Sequence, residues 1–229
     1  MTSEFNGFGP ALRFLGDLAE NNDRAWFEEN KARYEADVRE PARAFVRAMA
    51  PRLLKISRSF VADDRKIGGS IMRVHKDVRF SKDKSPYKTN LGIQFRHRTG
   101  KDVHAPGLYI HIQPGMLFLG AGMWHPEADA LHALRTAIAV APSKWRKIVD
   151  DPALTAEWRQ AGSSLKRPPA GFVADHPNIE DLKRTDFILD TQLTVSDVKS
   201  PDLVGVAADT FATTVPYLKF LCSALRIAC

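Results

Sequence analysis

The apolar residues of this chain change their period twice, and that constrains its fold more than any other feature. Before residue 57 they recur at helical spacing. Leu12, Leu15 and Ala19 share one face of a first helix that ends at Asn21-Asn22. Trp26, Phe27, Tyr34 and Val38 fall within about 120° on a helical wheel, which predicts a second helix from Asp23. Pro41 suits the first turn of a third helix carrying Phe45, Met49, Leu53 and Ile56, and Pro51 is expected to bend or restart it. Asn30 interrupts the second stripe and needs a partner if buried, a backbone group being the simplest. Trp26, Phe27, Tyr34 and Trp124 read as core aromatics.

From Gly68 the period becomes two. Segments 70–76, 90–97, 107–113 and 116–123 are short, rich in β-branched and aromatic residues, and bounded by Gly and Pro, which predicts strands. Gln113-Pro114-Gly115 supplies a hairpin turn. Helical spacing returns after Pro126 with Leu131, Leu134 and Ile138. Short helices are predicted from Pro142 to Val149 and from Pro152 to Gln160, with a loop over 162–178. A strand over 185–193 and a terminal helical pair over 200–228, broken at Pro216, follow. Strands in sequence flanked by helices predict an α+β fold: a central, mostly antiparallel sheet of four to five strands with helices packed on one face. The expectation is one domain over 1–229, helical at 10–57, sheet at 68–123, helical at 126–161, then strand and terminal helices at 185–228. A chain of 229 residues buries enough surface to need no disulfide or metal staple.

Strand alternation sorts the side chains. Arg73 and His75, Gln94 and Arg96, and Tyr109, His111 and Gln113 are assigned to a polar sheet face. Met72 and Val74, Ile93 and Phe95, and Leu108, Ile110 and Ile112 are assigned to the apolar one. The polar face is either a solvated surface or the floor of a cleft.

Charge is unevenly placed. Eleven Lys and Arg lie between Arg65 and Lys101 against Asp77 and Asp83 alone, so that segment carries +9. In a chain of net charge +6, the remainder carries −3. Local basicity points to an anionic partner more specifically than a high pI does. The candidate ligand-binding residues are Arg73, Lys76, Asp77, Arg79, Ser81, Lys82, Asp83, Lys84, Tyr87 and Lys88 on the long connection, with Arg96, Tyr109 and His111 on the sheet. Cations and hydroxyls on one loop can surround a phosphate, and Phe80 or Tyr87 can stack a base, so a nucleotide or nucleic acid is the leading ligand class. The bland alternative is a solvated loop in which Asp77 and Asp83 pair with Arg79 and Lys84. A second alternative is an enzyme for a small anionic substrate, with His111 or His75 as acid–base group. A third is a structural module that docks an acidic partner protein.

Several chemistries lack their signatures. Gly68-Gly69 has no P-loop ending, Gly120-Ala121-Gly122 lacks a dinucleotide fingerprint, and there is no nucleophile elbow. His125, Glu127, Asp129 and His132 read as solvent-facing, with no metal-ligand spacing, so no metal site is assigned and no cofactor is indicated. The first residues do not read as a secretory signal, and no apolar run approaches the roughly 20 residues of a membrane span. Cys222 and Cys229, on one helix, would stand about 10 Å apart, too far to bridge. A cytoplasmic address is therefore expected.

The stretch Asn21-Asn22-Asp23-Arg24-Ala25-Trp26-Phe27 with Asn30-Lys31 and Tyr34, and the run from Arg73 to Asn90, resemble the signature of the domain of unknown function 2461 family. Pro106-Gly107-Leu108-Tyr109, Gly120-Ala121-Gly122-Met123-Trp124 and Asp175-His176-Pro177 fit the same resemblance, which covers nearly the whole chain. His75 stands where the family pattern has an aromatic residue, and Lys76 where it has arginine. The resemblance implies no activity and no cofactor, because the family is uncharacterised.

Overall fold

A computed structural model describes residues 4–79, 81–99 and 105–229. The chain begins with α1 (Gly9–Glu20), whose Phe14, Leu15 and Leu18 are buried. The predicted second helix is divided. Asp23 caps α2 (Arg24–Glu29) by accepting from the Trp26 N–H, and α3 (Lys31–Tyr34) runs through a π turn (Glu35–Arg39) into α4 (Glu40–Ile56). The division falls at Asn30, whose amide donates to the Trp26 carbonyl at 2.9 Å, the backbone bond its position called for. Pro51 does not break α4: packing of the buried Met49 and Leu53 holds the helix through it.

Among the described residues six strands form one antiparallel sheet: β1 (Phe60–Val61), β2 (Leu91–His97), β3 (Gly107–Gln113), β4 (Met116–Met123), β5 (Arg159–Ala161) and β6 (Phe187–Gln192). Their order is β1-β2-β3-β4-β6-β5, so the expected four to five strands become six. The additions, β1 and β5, have two and three residues, too few to show a period. β5 also ends the helix expected to reach Gln160, which stops at Thr155.

Segment 70–76 is not a strand. Ile71 bridges Ile93 and His75 bridges Tyr87, while Met72 N–H donates to the Gly92 carbonyl at 2.9 Å. Ile71 opposite Ile93 puts Met72 over Gly92, where an added Cβ would meet Met72 Sδ at 2.9 Å and Tyr109 Oη at 2.8 Å. Met72 therefore joins the polar face, against expectation, while Val74 packs against the core as expected. The single bridge at Ile71 sets this facing, because side chains alternate on either side of it.

The other strands keep their expected faces. Ile93, Phe95, Leu108, Ile110, Ile112, Leu119 and Phe187 are fully buried, and α1 contacts β3 while α11 (Val215–Ala224) contacts β4. After β4 come α5 (Ala128–Val140), α6 (Pro142–Val149) and α7 (Pro152–Thr155); α8 (Ile179–Leu182) separates β5 from β6, and α9 (Val195–Lys199) and α10 (Leu203–Thr213) follow β6. Among the described residues no helix is long and apolar enough to cross a membrane. After α11 the chain reverses at Arg226 (φ +57), with Ile227 N–H donating to the Cys222 carbonyl at 3.0 Å. Cys229 thereby returns to Cys222, and their thiol hydrogen bond, with burial, pushes the Cys222 thiol up. The expected separation of the two cysteines assumed one continuous helix; the helix ends at Ala224.

Candidate anion-binding loop

The two longest signature segments meet in space. Lys76 N–H donates to the Pro86 carbonyl and Lys88 N–H to the Val74 carbonyl, at 2.9 and 2.8 Å, making a short ribbon of 74–76 and 86–88. Asn22, in the turn before α2, fastens this ribbon at both polar groups of one residue. Its amide donates to the Tyr87 carbonyl at 3.0 Å, and its carbonyl accepts from the Tyr87 N–H at 3.1 Å. The Tyr87 ring is buried and stacks on Phe27 at 4.0 Å, with His75 5.3 Å away on the ribbon. Tyr87 is therefore an anchor, and its ring is not available for stacking a base.

Asn22→Ala removes both bonds and leaves two part-buried backbone groups unmatched. The expected loss is about 1–3 kcal/mol of stability, together with faster amide exchange across 74–76 and 86–88. Unchanged exchange in that ribbon would show that the fastening lies elsewhere.

Within the loop, some of the cations are already matched. Asp77 pairs with Arg79 at 2.7 Å, as its spacing suggested, and that guanidinium holds the Asp77 carboxyl below its usual range. Asp83 pairs with Lys76 and not with Lys84, because the ribbon brings Lys76 across to it. Lys76, then Ser85, hold the Asp83 carboxyl well below the ordinary range. Lys84 Nζ donates to the Val78 carbonyl at 3.0 Å, and Ser81 N–H reaches the same carbonyl at 3.4 Å. Phe80 lies outside the described residues. No carboxylate lies within ion-pair distance of Arg73, Lys82, Lys84 or Lys88 among the described residues. Partial burial, then repulsion from the Arg73 charge, lower the Lys88 pKa.

The sheet residues of the predicted set have partners of their own. Tyr109 Oη and His111 Nδ1 are 3.1 Å apart, and His111 Nε2 is 3.2 Å from Gln113 Oε1. The His111 ring lies flat on Phe118 at 4.8 Å, and burial lowers its pKa while raising that of Tyr109 to about 12. Both imidazole nitrogens are thus occupied by neighbours on β3. Arg96 donates to Gln94 Oε1 at 3.3 Å and lines a shallow cleft with Asp63, Gly69 and Ser70. The thirteen predicted residues accordingly divide among loop, cleft and sheet.

Asn22 and Phe27 were absent from the predicted set although both lie in the first signature segment; only the tertiary fold sets them against Tyr87. Trp124, expected in the core, is exposed. Glu127, Asp129 and His132 are solvent-facing, as expected, and no group of three or more potential metal ligands occurs among the described residues.

Comparison with known proteins finds no similar curated protein and no similar solved structure. The family model described as "Conserved hypothetical protein (DUF2461)" matches residues 10–220. All six strands and both halves of the Asn22–Tyr87 fastening fall inside that match, and the chain belongs to the DUF2461 family.

Proposed function

We propose that this protein binds a phosphate-bearing ligand, a nucleotide or a nucleic acid, through the loop over residues 73–90. One observation supports the reading: among the described residues no carboxylate lies within ion-pair distance of Arg73, Lys82, Lys84 or Lys88, while the loop that bears them is pinned to α2. A fixed loop does not lose conformational entropy again when an anion binds, and its unmatched cations are the groups a phosphate neutralises. Crowding Arg73 against a part-buried Lys88 costs free energy in the empty protein, and a bound dianion relieves it. Lys76 and Arg79, already paired, hold the loop's shape. Arg96, Tyr109 and His111 are not required by this reading. Nor does the sheet favour acid–base work at His111, whose ring would first have to give up Gln113.

The measurement is fluorescence anisotropy with a labelled single-stranded oligonucleotide over a salt series. Four neutralised phosphates give a log–log slope of about −3, hence about 50-fold weaker binding between about 50 and about 200 mM salt. The double substitution Arg73→Ala with Lys88→Ala is expected to flatten that slope by about 1 to 2. Affinity that does not change with salt rejects the proposal. Competition by a nucleoside triphosphate separates a nucleotide site from a strand-binding surface.

A further inference from the structure

At the opposite end of the sheet from residue 90, a second constellation surrounds Asp186. Its side chain is 1% exposed. Asp186 Oδ1 accepts from the backbone N–H of His125 at 2.8 Å and lies 3.0 Å from His125 Nδ1. Oδ2 accepts from the Ser163 N–H at 2.9 Å and from the Thr185 hydroxyl at 3.4 Å. Arg184, the nearest guanidinium in sequence, donates to the carbonyls of Asp186 and Ala161 and not to the carboxylate. His125 is therefore the ionisable side chain that this buried carboxylate meets among the described residues.

A buried carboxylate offers acceptors only, so the Nδ1–H tautomer of His125 is the one that avoids setting two lone pairs 3.0 Å apart. That leaves Nε2 with its lone pair, on a side chain 67% exposed. Free imidazole carries its proton mostly on the other nitrogen, so the carboxylate sets the tautomer.

The backbone is shaped around this pair. His125 has φ +48, a left-handed conformation that a non-glycine residue adopts at a cost and that often marks functional positions. Gly162 has φ +93, and a Cβ there would fall 2.5 Å from Asp186 Cβ. Beside the imidazole lies the indole of Trp124, 65% exposed and stacked on the His125 ring at 4.8 Å. An exposed indole next to an imidazole with a free acceptor joins an apolar platform to a proton acceptor.

The geometry points to an acid–base site in which His125, oriented by Asp186, accepts a proton at Nε2 from a hydroxyl-bearing aromatic ligand lying on Trp124. The ligand's O–H first donates to Nε2. On transfer the proton resides there, the imidazolium charge is balanced by Asp186, and the oxygen is left as the more reactive alkoxide or phenolate. Asp186 is a positioning residue. The site is independent of the basic loop and does not rest on the phosphate reading.

Three measurements on the full chain test it. Long-range ¹H–¹⁵N NMR of the wild type with the imidazole neutral is expected to show the Nδ1–H tautomer; an Nε2–H form or an even mixture overturns the assignment. Diethyl pyrocarbonate is expected to modify His125 several-fold faster than the exposed His75 and His132, and Asp186→Asn is expected to abolish the difference. Equal rates in the wild type overturn it as well. Because Asp186 is buried and its variant can fail to fold, the tautomer measurement on unmodified protein stands by itself. Phenol is the ligand probe, with anisole as the ether lacking a donor. Phenol should shift both the Trp124 indole N–H and the His125 ring signals saturably, whereas anisole should shift only Trp124. No shift with phenol, or equal His125 shifts with both, refutes the ligand class.

Discussion

Trp145→Ala is expected to cost about 3–5 kcal/mol, the range for deleting a fully buried large aromatic side chain. Trp145 sits on α6 with no exposed surface. Its ring packs against Phe220 at 4.9 Å and Tyr217 at 5.7 Å on α11, and edge-on against Phe187 on β6 at 6.2 Å. One side chain thus joins a helix pair to the sheet, and alanine leaves a void that three aromatic rings cannot fill without moving. The comparison that sharpens the test is Trp145→Phe. The indole Nε1 is buried without a hydrogen-bond partner, which offsets part of the tryptophan's own contribution. Phenylalanine keeps a ring in place and removes that donor, so its loss is expected to be less than half that of alanine. Urea unfolding followed by far-ultraviolet circular dichroism measures both, read as shifts in midpoint at constant slope. A loss under about 1 kcal/mol for alanine would mean that α6 is not part of the cooperative core.

Gly122→Ala carries the other large effect. Gly122 lies on β4 at φ +122, opposite Gly107 on β3 and Ile188 on β6. A Cβ there would fall 2.1 Å from the Phe187 carbonyl oxygen, which is backbone and has no rotamer to change. The unfavourable φ costs about 1–3 kcal/mol, and relieving the overlap by moving β6 away adds a similar amount, so about 3 kcal/mol or more is expected. Gly122 stands two residues before Trp124, and the Phe187 backbone it would displace directly follows Asp186. The variant is therefore expected to lose the His125–Asp186 contact even in molecules that stay folded, and His125 should then show the tautomer of free imidazole. Wild-type stability in the same urea titration would contradict this account of the β4–β6 contact.

Elements with a clean period and a sufficient length were legible before folding. β3 and β4 occupy 107–113 and 116–123, and α6 occupies 142–149, the ranges their spacing predicts. Periodicity reports which residues a regular backbone turns toward the core, so it needs several repeats to speak. β1 and β5 have too few residues, and their pairing comes from the long strands beside them. Segment 70–76 shows the converse. It alternates like a strand, yet it touches β2 only near Ile71 before turning away into the ribbon held by Asn22. A local pattern cannot distinguish a full ladder from one bridge.

The loop was legible in part. Its excess of cations is a property of composition, and the pair Asp77–Arg79 follows from a spacing of two residues. The partner of Asp83 does not, because Lys76 reaches it only across the ribbon. The His125–Asp186 contact spans 61 positions, and no sequence motif joins them. Trp124 gave the opposite error. A large aromatic after a strand reads as core, but the turn carries its ring outward.

By itself, the sequence determined that helices would flank an antiparallel sheet, which side of each long strand would be apolar, and that positive charge would gather between residues 65 and 101. The tertiary structure alone decided which cations stay unmatched, which residue pins the loop, and which histidine meets a buried carboxylate. The first group follows from backbone geometry repeated every few residues. The second depends on strand register and on the closing of long loops, where a shift of one residue exchanges every partner.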